Sequence, residues 1–351
     1  MRGAAAVARN RKLERPSIAG LGPHGERAAP PDRLAIDDSD ADAARVRRFS
    51  VAVVLHTTAS DWAKQQLAGI VTTLGRYSAA VIDVVDCGFA IDAQVDALNR
   101  LVREAPDAII SIPIGNAAVA EAHRAVTRAG LKLVLMDNTP TGLLPGSDYA
   151  SVVSADNFRL GQVAAALLSP HVPRGGTVGI LGYGVDFFAT NEREIAFRKW
   201  IASDRPDVVL AQTKFADVAE AADVTAAFLA RQPKLAGLFA VWDEPAMQAV
   251  RAVRATSRLI PMTTIDLGNE AAIELARGGI IKGIGAQQPY DQGVAVAAAT
   301  ILALLGRQPP PWVALPGLAV TRDDVVESYQ VVWHAPAPPE LRKARRAHRR
   351  R

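Results

Sequence analysis

From residue 50 the chain alternates short apolar runs with segments of helical period, and this alternation confines it to a parallel α/β architecture. Val51-Ala52-Val53-Val54-Leu55 is apolar at every position, as a strand covered on both faces must be. Segment 62–74 then sets Leu67, Ile70, Val71 and Leu74 on one helical face. The alternation continues with a strand at 80–85, a helix at 92–103, a strand at 108–112, a helix at 117–129 and a strand at 131–136. Strands separated by helices of this length pair in parallel, because each helix carries the chain back across the sheet.

After residue 150 the pattern starts again. Strands are expected at 152–154, 177–181, 208–211, 237–241, 262–265 and 280–285. The intervening helices fall at 158–168, 190–202, 218–229, 245–255 and 270–277, followed by a long Ala-rich helix at 292–305. Two short strands, 317–320 and 329–333, close the fold. Two such sets in 351 residues define two doubly wound, Rossmann-like parallel-sheet lobes joined by a hinge, with a cleft between them. The expected boundaries are 50–155 plus 288–320 for lobe 1 and 156–287 plus 321–333 for lobe 2. In such sheets ligands gather at the carboxyl ends of the strands, so two facing lobes present one cleft that hinge motion can close.

Charge divides the chain differently. The formal net charge is +4, yet residues 1–49 carry ten Lys/Arg against seven Asp/Glu, and 334–351 carry seven against one. The remainder, 50–333, is therefore net −5. A basic whole invites a nucleic-acid reading, but the basic residues lie at the ends, and no nucleic-acid partner is expected. Both ends, 1–49 and the Arg-rich 334–351, read as disordered tails. Ala4-Ala5-Ala6-Val7-Ala8 runs at once into Arg9-Asn10-Arg11-Lys12, too short an apolar stretch for an export signal; an export segment is expected in the reading frame upstream of Met1. No apolar run reaches the length of a membrane span. The single cysteine, Cys87, excludes an intrachain disulfide framework and a multi-cysteine zinc site, and reads as a small packing residue.

The residues just past the strands have a common chemistry. They are His56 to Trp62, Asp137-Asn138, Asp186 to Asn191, Trp242-Asp243-Glu244, Asp266, and Gln287 to Tyr290. Aromatic faces pack on the C–H faces of a sugar ring, while carboxylates and amides meet its hydroxyls. Asp137, Asp243 and Asp266 can each also be read as helix N-caps, and Trp62 as a first-turn packing residue. Their joint appearance at one end of both sheets favours a shared cleft.

With these residues in place, 49–333 resembles the periplasmic solute-binding proteins of the ribose/galactose type that serve ABC importers, a fold also found in the effector domains of repressors similar to the lac repressor. The resemblance rests on the opening strand with its polar loop, Asp137, Val153-Ser154-Ala155-Asp156-Asn157, Asn191-Glu192-Arg193, Phe239 to Asp243, Ile265-Asp266 and Gln287 to Gly293. It implies ligand contacts at Ser60, Asp61, Trp62, Asp137, Asn138, Asn191, Trp242, Asp266 and Gln287, with Phe187 and Phe188 as walls. Trp62 stacks on the ring, Asp137 and Asp266 accept hydroxyl protons from opposite lobes, and Arg193 braces the second lobe. The sequence departs from the ribose type where Asn138 and Asn191 stand at common Arg positions and Trp242 at that of a smaller amide. Losing two guanidinium groups removes up to ten N–H donors and two charges. The expected ligand is therefore a small neutral sugar or polyol other than ribose, a different pentose or a deoxy sugar included; the surrounding carboxylates also leave room for a cationic one.

Enzyme readings find little support. The turn after the first strand, His56-Thr57-Thr58-Ala59-Ser60, has no Gly for a dinucleotide fingerprint. There is neither a Walker loop nor a nucleophile elbow, and the six His are scattered without metal-ligand spacing. No cofactor, no metal and no catalysis are expected. The implied role is a monomeric receptor in the periplasm that delivers its solute to an ABC importer permease. The alternative, the sensing domain of a lac-repressor-like transcriptional regulator, needs a helix-turn-helix; residues 1–49 lack two adjacent apolar helices, and Pro30-Pro31 interrupts them.

Overall fold

A computed structural model describes residues 18–347. Two six-stranded sheets share one strand order. The first contains β1 (Ser50–Leu55), β2 (Ala80–Asp86), β3 (Ala108–Ser111), β4 (Lys132–Met136), β5 (Ser151–Ala155) and β11 (Trp312–Leu315), ordered β11-β5-β4-β3-β1-β2 and parallel throughout. The second contains β6 (Thr177–Tyr183), β7 (Val209–Phe215), β8 (Leu235–Ala240), β9 (Met262–Ile265), β10 (Ile281–Ala286) and β12 (Leu318–Val320), ordered β12-β10-β9-β8-β6-β7 with only β12 antiparallel. The interior strands β1 and β3 are buried nearly end to end, as helices on both faces require.

The helices of the first lobe are α2 (Asp61–Arg76), α3 (Ile91–Glu104), α4 (Ala117–Arg128) and α10 (Pro289–Leu304). Those of the second are α5 (Asn157–Leu168), α6 (Phe188–Asp204), α7 (Ala221–Arg231), α8 (Asp243–Arg254), α9 (Asn269–Ala276) and α11 (Val325–Trp333). Each lobe is organised by one close helix crossing. A methyl group on Gly69 would strike the carbonyl oxygen of Tyr290, and one on Gly293 that of Gln66, so α2 and α10 touch backbone to backbone. In lobe 2 Gly161 plays the same part for α5 against α6, at the carbonyl of Arg193.

The chain crosses between lobes at Asp156, near Gln287 and again at Pro316-Gly317. Residues 318–320, expected in lobe 1, thus belong to the second sheet through β12 on β10. Strand β11, absent from the sequence reading, completes the first sheet instead. Residues 329–333 are helical: Val325, Tyr329, Val332 and Trp333 are buried, a spacing of four, three and one that lays them on one helical face.

The expectation of disordered ends is corrected where the described residues of those segments form packed elements. Ala29 bridges to Val313 beside β11, the 3₁₀ turn Pro31–Leu34 buries Leu34, and α1 (Asp38–Arg47) buries Ala41 and Ala44. The acidic run is a helix start: Asp37 caps it by accepting from the Asp40 amide at 2.8 Å, and Asp38 and Asp40 suit the positive end of the helix. At the other end α12 (Pro339–Ala347) buries Leu341 and Ala344 in the lobe 2 core and turns Arg342 and Arg346 outward, while the largely covered Arg345 reaches Asp323 at 2.7 Å. Both helices bury alanines or a single leucine, so neither shows the broad apolar stripe that marks a helix in sequence. Residues 1–17 and 348–351 of the expected tails lie outside the described residues. Among the described residues no helix is long and apolar enough to cross a membrane.

Candidate functional site

The carboxyl ends of both sheets face a single cavity of about 860 Å³ between the lobes. Asp137 follows β4, and Asp266 follows β9, the fourth strand of each lobe. Both adopt left-handed backbone, φ 56° and 72°, and each donates its amide to the neighbouring fifth strand, at Val153 and Gly285. Asp tolerates this region better than most residues, and the turn throws each carboxylate into the cleft rather than along the strand. Neither caps a helix.

Glutamines hold both carboxylates. Asp137 accepts from Nε2 of Gln292 at 2.7 Å and of Gln66 at 3.4 Å, the two side chains that the α2–α10 crossing brings together. Asp266 accepts from Gln287 Nε2 at 2.7 Å. Arg193 lies 3.8 Å from the other oxygen of Asp266, with its Nε on Asn157 and its Nη1 on the Val241 carbonyl, both at 2.9 Å. Asp243 opens α8, and its carboxylate accepts the Gly268 amide at 2.8 Å.

Burial sets the electrostatics. It raises the Asp137 carboxyl to about 6, against the lowering effect of the Gln292 hydrogen bond. Burial also raises Asp266, with Arg193 opposing, and holds Asp243 well above the usual carboxylate range, reinforced by Asp266. Charged groups removed from water need partners or lose their charge.

Aromatic rings form the remaining walls. On lobe 1, His56 meets Trp62 and Phe89 edge to face, with centroids 5.9 and 4.8 Å apart. Phe187 reaches the same imidazole from lobe 2 at 6.4 Å. Burial lowers His56 to about 4, so this ring is neutral at pH 7. On lobe 2, Trp242 packs edge to face against Tyr183 and Phe215 at 5.2 and 5.1 Å. Trp62 Nε1 and Gln287 Oε1 are buried without a protein partner.

Of the residues expected at the site, Ser60, Asp61, Trp62, Asp137, Phe187, Trp242, Asp266 and Gln287 line the cavity. Ser60 is also the N-cap of α2. Asn138, Phe188 and Asn191 do not line it, and Asn138 is buried. Asn138 donates to the Pro113 and Gly115 carbonyls at 3.0 and 2.7 Å, and its Oδ1 accepts the Phe188 amide at 3.1 Å. Asn191 holds Asp186, whose other oxygen accepts from Asn116 of the first lobe at 2.8 Å. At the mouth Asn269 donates to Asp61 at 2.7 Å across the gap. These bonds tie lobe to lobe, so the structure is the closed form.

Sequence reasoning missed Gln66 and Gln292. Each is a fully buried amide within a helix's apolar face, and a polar residue on such a face is the signal that could have found them. Arg193, expected only as a brace, both braces Asn157 and lines the cavity.

Two pseudo-equivalent α/β lobes closed over a cavity lined by acids, amides and aromatic rings define a hinged cleft binder. The chain belongs to the periplasmic binding protein domain family, whose model matches residues 51–308. It is 25% identical over 206 residues to the ribose import binding protein of Bacillus subtilis (strain 168), an alignment covering 59% of this chain and 66%, just short of two thirds, of that protein. It is 24% identical over 221 residues to the D-ribose/D-allose-binding protein of Pseudomonas aeruginosa, covering 62% of this chain and 69% of that one. Among solved structures, an ABC transporter solute-binding protein of Agrobacterium vitis bound with α-D-tagatopyranose superposes with a TM-score of 0.75 at 20% identity, covering 83% of this chain and 99% of that chain. A solute-binding protein of Mycobacterium smegmatis with bound glycerol gives 0.73 at 19% identity, covering 81% and 96%.

Proposed function

We propose that this chain is the solute receptor of an ABC importer: it captures a small sugar or polyol between its lobes in the periplasm and delivers it to the permease, as a monomer and without catalysis. The observation that carries the reading is that Asp137 and Asp266 address one cavity from opposite lobes. A polyhydroxylated ligand donating to both links the lobes, so binding energy is converted into closure. The names and bound ligands of the relatives support the solute class. Asn138 and Asn191 stand outside the cavity lining and bring no guanidinium to it, which supports a ligand other than ribose.

The test is a thermal-shift panel of the purified chain with D-ribose, D-allose, D-arabinose, D-tagatose, D-fucose and glycerol, because a ligand that binds only the folded state raises its Tm. At least one member other than ribose is expected to raise it, and gel filtration is expected to give one chain per particle. A panel in which no sugar or polyol shifts the transition contradicts the reading.

A further inference from the structure

Charge in the closed cleft is out of balance. Asp137, Asp243 and Asp266 all line the cavity, and among the described residues the only ion pair any of them makes is that of Asp266 with Arg193. Asp137 takes amide donors from two glutamines, and Asp243 takes a backbone amide. Arg193 also gives its Nε to Asn157 and its Nη1 to the Val241 carbonyl. Two buried carboxylates and the half-buried Asp243 therefore have Arg193 as their one ion-pair partner among the described residues, the cavity's other arginine, Arg251, lying 3.8 Å from Glu270, whereas buried charges are ordinarily paired.

An independent feature points the same way. Gln287 is 3% exposed and lines the cavity. Its Nε2 donates to Asp266, which fixes the amide so that its Oε1 is the free end, and that acceptor has no partner. A hydroxyl can satisfy an acceptor, but it brings no charge to Asp266 beside it or to Asp243, which shares the cavity wall and feels the charge of Asp266. An ammonium is all donor, with three N–H groups and a positive charge. The rings of Trp62 and Trp242 on the walls suit a cation further.

We propose that the solute this cleft takes carries a protonated amine beside its hydroxyls, an amino sugar or amino polyol whose ammonium is received by Asp243, Asp266 and Gln287 Oε1. This rests on the reading of the chain as a sugar or polyol receptor and departs from the neutral ligand expected from sequence. Asp137 remains for a hydroxyl, and the aromatic walls for the ring.

Calorimetry of the full chain at neutral pH tests it with matched sets: D-glucosamine, D-galactosamine and D-mannosamine, each beside its neutral parent hexose and its N-acetyl form, with the neutral panel above as reference. At least one amine is expected to bind about tenfold or more tightly than its parent and its N-acetyl form, a gap of roughly 1.4 kcal/mol. Asp243→Asn is expected to bring that amine down to its parent's affinity. Neutral sugars that bind as tightly as the amines, or bind while the amines do not, overturn the inference and leave the receptor reading standing. An amine preference that survives Asp243→Asn overturns the assigned subsite. No binding by any amine, sugar or polyol overturns both readings together.

Discussion

Asp137 and Asp266 occupy matching positions in the two lobes: each follows its lobe's fourth strand, turns through left-handed backbone, donates its amide to the fifth strand and accepts from a glutamine at 2.7 Å. The second halves of the site differ. Asp137 has a second glutamine, and Asp266 has Arg193. The same motif thus faces the cavity twice, once from each lobe.

Burying Asp137 costs the folded chain stability. Its folded-state value of about 6 lies above the ordinary 3.8, so the folded state binds the proton more tightly, and this group's contribution falls as pH rises from about 4 to 6. Above pH 6 the penalty reaches about 3 kcal/mol. Asp137→Asn retains shape and backbone preference. Gln66 and Gln292 each have an unpartnered Oε1 that an amide flip can offer to the new Nδ2. Urea unfolding is expected to show the variant more stable by about 2 kcal/mol at pH 7.5, with the difference gone by pH 4. His56 titrates in the opposite sense, from 6.5 down to about 4, so its contribution is lost as pH falls; it is common to both proteins and cancels in the comparison.

The α2–α10 crossing positions Gln66 and Gln292, and it admits no side chain at Gly293, where a Cβ would strike the Gln66 carbonyl. Gly293→Ala is expected to destabilise the chain by about 1–3 kcal/mol and to weaken ligand binding more than a comparable loss elsewhere, because it separates the two amides on Asp137. Equal affinity in wild type and variant, measured well below the unfolding transition, removes this link between packing and site.

How much of this was legible in sequence follows from what each residue does. Strands buried on both faces announce themselves as unbroken apolar runs, so β1, β3, β4 and β6 stood where expected. Asp137 was visible because it directly ends such a run, and Asp266 because it directly follows a short strand, Met262-Thr263-Thr264-Ile265. Gln66, Gln292 and Arg193 were hidden or misjudged because their roles come from helix crossings, set by Gly69, Gly161 and Gly293, and a glycine inside a helix does not say which carbonyl it faces. Asn138 and Asn191 were placed at the ligand by the family resemblance; in the structure Asn138 bonds across the lobes to the Phe188 amide, while Asn191 holds Asp186 within its own lobe and so supports that residue's bond to Asn116. The ends read as tails because α1 and α12 bury little, and what they cover is apparent only once β11 and α9 are in place.

One such covering contact reaches the hinge. Asp156, at the first crossing between lobes, caps α5 through the Arg159 amide at 2.9 Å and also accepts the amides of Ala19 and Gly20 at 2.6 and 3.0 Å. The segment before β1 is thereby fastened to the point where the lobes turn. Asp156→Ala is expected to cost about 1–3 kcal/mol for the lost cap and the unpaired amides, and to raise hydrogen exchange at 19–29 ahead of the rest of lobe 1. Unchanged exchange there would show that Ala29 on β11 holds the segment without help from the hinge.

The central claim is that a ligand is gripped by carboxylates from both lobes at once. Calorimetric titration of wild type, Asp137→Asn and Asp266→Asn with whichever panel member raises Tm most tests it directly. The account predicts one site per chain in the wild type and at least about tenfold weaker binding in each variant, although only one carboxylate is changed at a time. Binding that depends on Asp137 or Asp266 alone, or on neither, contradicts a two-lobed grip.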